Sequence, residues 1–97
     1  MPDEEAKTDI PKGDVTSVLL HRVDPGKNAA RFYLVMVGPS LLDPHAVLRT
    51  WGRIGGCQRS MVSPCASAEE AQALAVRLVR RRVRRGYRIV SPREAEI

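Results

Sequence analysis

Aromatic residues are nearly missing from this chain, with one Trp, one Phe and two Tyr among 97 residues. A core must therefore be assembled from Val, Leu, Ile, Ala and Met, and the placement of each ring carries information. No run approaches the roughly 18 uninterrupted apolar residues that a bilayer span needs. The opening Met1-Pro2-Asp3-Glu4-Glu5 is acidic where a secretion signal is basic and then greasy, so a cytoplasmic protein without a membrane partner is expected. Cysteine is scarce as well. Cys57 and Cys65 have no Cys or His at ligand spacing, which excludes a metal site built on them and leaves two reduced thiols, or a Cys57 to Cys65 disulfide.

Acids are thin in the body of the chain. Val15 to Ile97 hold six acids against fourteen basic residues, whereas Met1 to Asp14 hold five acids and two lysines, so a tail of −3 and a body of +8 make up the net +5. A body that basic favours a polyanion, whether RNA, DNA or an acidic protein surface. All but one of its cations are arginine, the residue suited to bidentate phosphate contacts and to stacking. The shortage of acids also argues against catalysis. His21 and His45 have no carboxylate close in sequence to orient them, Asp24 and Asp43 sit in turn contexts, and Gly52 and Gly55-Gly56 lack the strand-to-helix setting of a phosphate loop. The expectation is a protein with no catalytic residue, no metal and no cofactor.

Length allows one domain. Residues 1–15 read as a disordered acidic tail, 16–91 as the folded domain and 92–97 as a flexible C-terminus. Thr16 to Val23 alternates as a first strand and is broken by Asp24-Pro25-Gly26. Arg31 to Val37 is almost wholly apolar and predicts a central strand covered on both faces, followed by a loop through Pro44. Ala46 to Ile54 and Gln58 to Val62 predict a hairpin turning at Gly55-Gly56. Ser67-Ala68-Glu69-Glu70 is a capping box opening a helix of about nineteen residues that closes at Gly86, and Tyr87 to Val90 fits a last edge strand. The fold class is α+β, an antiparallel sheet of about four to five strands with one long helix packed across it.

Two constellations point to a ligand. In Val47-Leu48-Arg49-Thr50-Trp51-Gly52-Arg53-Ile54, the period of two puts Arg49, Trp51 and Arg53 on one face, an indole between guanidiniums suited to stacking on a sugar or base while its flanks meet phosphates. The competing reading is a Trp buried in a small core with two arginine stems snorkelling past it. On the helix, Arg77, Arg80 and Arg84 fall opposite the apolar stripe, as a solvated face does, but Arg82 falls within the stripe formed by Ala71, Ala75 and Leu78. An arginine there must find an anion, either a carboxylate of this chain or a ligand phosphate.

These residues together resemble the WGR domain, a small module named for its Trp-Gly-Arg and found in poly(ADP-ribose) polymerases and as short stand-alone bacterial proteins. The likeness runs through Leu20 to Asp24, Asn28 to Tyr33, Trp51-Gly52-Arg53-Ile54-Gly55, Ser67 to Ala71 and Gly86-Tyr87. It implies an antiparallel sheet with one helix across it, and a grip on a DNA break in which Trp packs against the strand end while an Arg and a helix Lys hold backbone and partner. Those roles fall on Trp51, Arg53 and Arg82, the last replacing lysine, so a point contact with phosphate becomes bidentate or is lost. Gly56-Cys57-Gln58 also departs from the family's usual hairpin. No polymerase catalytic domain is present in this sequence, so ADP-ribosylation is not carried over.

The reading that follows is a non-enzymatic nucleic-acid-binding module, a monomer whose expected ligand is DNA ends or nicks ahead of RNA, with the choice between DNA and RNA left open by the sequence. Its candidate residues are Trp51, Gly52, Arg53, Arg49, Arg82, Arg31 and Arg85. The alternative is a protein-interaction module docking an acidic partner through the same Trp and Arg face.

Overall fold

The structure, a computed structural model, describes residues 17–27, 29–40 and 42–91, so the expected tail 1–15 and C-terminal segment 92–97 lie outside it. Five strands, β1 (Ser17–Asp24), β2 (Ala29–Gly38), β3 (Ala46–Arg53), β4 (Gln58–Pro64) and β5 (Arg88–Ser91), form one antiparallel sheet in the order β4-β3-β2-β1-β5. Helix α1 (Ala68–Arg84) lies across one face of it.

Local chemistry sets each boundary. A short 3-10 turn over Pro25–Lys27 follows β1, where Pro25 has no N–H to continue a ladder. Between β2 and β3, Ser40 and Asp43 tie the loop: the Ser40 N–H donates to the Asp43 carbonyl at 2.8 Å, and the Asp43 N–H donates to Ser40 Oγ at 3.0 Å. The β3–β4 hairpin turns at Gly55, whose φ of 80° favours glycine, with the Gly56 N–H donating to the Arg53 carbonyl at 2.9 Å. Strand β4 ends on Pro64, which an edge strand tolerates.

Helix α1 is capped at both ends. Ser67 Oγ accepts the Glu70 N–H at 3.1 Å, while Glu70 Oε1 accepts the Ala66 N–H at 2.9 Å, one residue earlier than in a capping box. At the other end Gly86 takes φ 97°, and the Gly86 and Tyr87 N–H groups donate to the Val83 and Arg82 carbonyls at 3.0 Å each, a Schellman motif. The helix has 17 residues, shorter than expected because Ser67 and Arg85 serve as caps outside it.

The core sits between α1 and the sheet. It joins Val18, Leu20, Tyr33, Val35 and Val47 to Ala71, Ala75, Leu78 and Val79. Strand β2 is central, as its apolar run implies, but it is not covered on both faces by the described residues. Tyr33 and Val35 are buried under the helix, whereas Met36, on the opposite face, is 40% exposed. The run is continuous because the open face is apolar too, a pattern that sequence alone reads as double burial.

Candidate nucleic-acid interface

Strand register assembles the site in rows across the helix-bearing face. Tyr33 pairs with Trp51, and alternation places Arg49, Trp51 and Arg53 on the face that Tyr33 and Val35 bury against α1. The row at the end of the sheet is Arg22, Arg31 and Arg53, each directly opposite the next across β1, β2 and β3. Behind it runs Leu20, Tyr33, Trp51 and Arg59, and behind that Val18, Val35, Arg49 and Met61. Like charges directly opposite on neighbouring strands are destabilising, so the outer row is a local cost that an anion would relieve.

The chain pairing that builds this face also dictates Gly52. A Cβ at Gly52 would stand 2.9 Å from Gln58 Cα and collide with the Cys57 carbonyl oxygen, because β4 approaches β3 closely there. Gly52 thus serves the hairpin's geometry on the face away from Trp51.

Arg82 completes the site from the helix. It lies on the packed face as its position in the apolar stripe predicts, yet no carboxylate of the described residues meets it. Its guanidinium stacks on the Tyr33 ring, 4.1 Å from the centroid, and lies 5.7 Å from that of Tyr87. Tyr33 is buried and has Trp51 and Tyr87 each at a centroid distance of 6.4 Å, one tilted and one edge-on. Arg82 is therefore held by rings, a solution that the choice between carboxylate and phosphate had left out. Stacking engages the guanidinium's π-face and leaves its N–H edge available for an oxygen acceptor.

Trp51 is neither sealed nor fully presented. It is half-buried and packs against the core beside Tyr33, with a side still open to solvent. Arg31, Arg53 and Arg85 are exposed. Arg85 caps α1, near the carbonyl-rich end that favours a cation, and Arg22 passes beside Gly86, where its Nε would be 3.4 Å from any added Cβ. Arg49 stands apart from the outer row by about 13 Å along β3. It is half-buried, one N–H group donates to Met61 Sδ at 2.6 Å, and its Nε is buried without a hydrogen-bond partner among the described residues. Of the helix arginines expected on a solvated face, Arg77 and Arg84 are exposed and Arg80 is half-buried.

The structure adds Arg22, Arg59, Tyr33 and Tyr87 to the residues singled out in the sequence. Arg22 and Arg59 become visible only through strand pairing, which a single strand's alternation does not contain. Both cysteines are free; burial and the nearby Glu70 carboxylate push the Cys65 thiol up, and its Sγ lies 3.6 Å from the Ser63 carbonyl. Among the described residues no group of His, Cys, Asp or Glu could hold a metal ion, and no helix is long and apolar enough to cross a membrane.

A five-stranded antiparallel sheet with one helix across it, ending in arginines around a floor of rings, defines a small binding module with a cationic surface. The chain belongs to the WGR domain family, whose model matches residues 16–94. The WGR domain is a binding module of the nucleic-acid-binding type, found in proteins like the poly(ADP-ribose) polymerases. The chain is similar to an uncharacterized protein, y4dW, of Sinorhizobium fredii, with 39% identity over 69 residues. That alignment takes in 71% of this chain and spans about a third, 34%, of the relative's length. No solved structure matches the chain.

Proposed function

We propose that this protein binds DNA at ends or nicks, with Trp51 against the sugar or base exposed at the break and Arg22, Arg31, Arg53 and Arg82 meeting backbone phosphates. The observation that carries the reading is the outer row of Arg22, Arg31 and Arg53 abreast on three strands, with the Arg82 guanidinium fixed on Tyr33 behind it. Phosphates spaced along a strand can relieve the repulsion within that row, and a half-open indole gives a terminal base or sugar a flat apolar surface to cover. Intact duplex offers phosphates but no such exposed surface.

Fluorescence anisotropy with blunt, nicked and closed-circular duplexes tests this. Tighter binding to the first two is expected, and equal affinity for all three refutes recognition of ends. Neutralising about four phosphates predicts a slope of log K against log salt near −3.6. Trp51→Ala is expected to abolish the preference for ends while leaving most of the salt slope. If partners captured by the protein survive nuclease treatment and the duplexes bind no tighter than an inert polymer, the same surface serves an acidic protein and the proposal fails.

A further inference from the structure

The sheet face away from α1 is apolar, uncharged at its centre and unpartnered among the described residues. Register places Met36, Leu48 and Val62 in one cross-strand row, Leu19 and Leu34 in the next, and Phe32 beyond them. Met36 and Val62 are 40% and 48% exposed. The polar residues at its centre satisfy each other, since the Thr50 and Ser60 hydroxyls are 3.0 Å apart. Among the described residues arginine reaches this face only at the β5 edge, where Arg88 pairs with His21. A contiguous apolar patch of this kind marks an interaction site.

From this face we infer that the protein forms a back-to-back dimer, two copies packing sheet on sheet. Nucleic acid does not suit a face whose centre carries no cation. A second copy suits it because the centre carries no charge, so two strongly basic chains meet there without facing their arginines. A twofold axis parallel to the strands lays each Arg88 edge over the uncharged β4 edge of the other copy. At about 4.8 Å between strands and about 3.3 Å per residue the face covers about 600 Å², or about 1,200 Å² over both copies. That area lies at the lower end of specific reversible interfaces, so the dimer dissociates in the micromolar range. The arginine rows then point outward in opposite directions, and one dimer holds two nucleic-acid segments.

Sedimentation velocity on the full chain, from roughly 10 to roughly 300 µM, tests the dimer without any nucleic acid. The expected result is a shift from 10.8 kDa toward twice that mass as concentration rises. The double variant Met36→Arg, Val62→Arg, at positions exposed enough to tolerate arginine, is expected to remain at the monomer mass with an unchanged circular dichroism spectrum. With DNA, the native chain is expected to let an immobilised duplex capture a labelled second duplex, and the variant to lose this capture while its affinity for one duplex is unchanged. A native chain that stays monomeric throughout, or a variant that still dimerises, overturns the inference. A face covered instead by lipid or by another protein gives the monomer result. Loss of all DNA binding would sink the proposed function and leave the sedimentation result standing.

Discussion

Replacing Arg82 with glutamine separates the fold from the ligand. In the native protein the guanidinium lies 4.1 Å from the centroid of Tyr33, a ring only 1% exposed, so the cation and the π-face meet with water largely excluded. Such a contact contributes about 1–2 kcal/mol when partly desolvated, against about 0.5–1 kcal/mol at the surface. Glutamine keeps much of the stem's packing and loses the charge and the flat stacking group. The expected loss is about 1.5 kcal/mol, or about 6–12 °C in Tm for a domain of this size. Unfolding in urea can be followed through Trp51, the only tryptophan, whose ring centroid is 6.4 Å from that of Tyr33. Because Arg82→Gln also removes aliphatic contact, the decisive quantity is the coupling in a cycle with Tyr33→Leu, expected at about 1 kcal/mol. Arg82→Lys, which keeps charge without a planar group, should fall between the native protein and Arg82→Gln. Coupling below about 0.3 kcal/mol, within the error of additivity, would refute the stacking account.

Other perturbations test the hairpin, the arginine row and the thiols. Gly52→Ala forces a methyl group against the Cys57 carbonyl and the Gln58 backbone, and is expected to cost about 2–4 kcal/mol by denaturant unfolding; a loss under about 1 kcal/mol would show that β4 yields easily. Arg31→Gln removes the middle cation between Arg22 and Arg53, so the folded state should become more stable while DNA affinity falls and the salt slope weakens by about 0.9, read by thermal unfolding and anisotropy on one preparation. At mildly alkaline pH a thiol reagent should label exposed Cys57 well before Cys65, whose thiolate is disfavoured by burial and by Glu70; Glu70→Gln should lower the Cys65 pKa and speed its labelling, and equal rates at both sites in the native protein would contradict this environment.

What the sequence made legible was whatever is local. The alternation around Trp51 fixed the shared face of Arg49, Trp51 and Arg53, and the helical period located Arg82 among Ala71, Ala75 and Leu78. Ser67 and Gly86 marked the ends of α1 because capping and a left-handed residue involve only near neighbours. Pairing between strands is not local, and the site depends on it. Arg22, Arg31 and Arg53 are separated by 8 and 21 residues of chain and meet only because β2 lies between β1 and β3. Strand assignment alone likewise cannot say which face of β2 the helix covers, and for that reason its apolar run suggested burial on both sides when α1 covers only one. The two failures have one physical origin and locate the two surfaces that matter. The proposed polyanion site lies where pairing gathers like charges, and the proposed dimer surface lies where it gathers apolar side chains with none of the described residues over them. A sequence optimised for the isolated domain would carry acids in the first place and polar residues in the second.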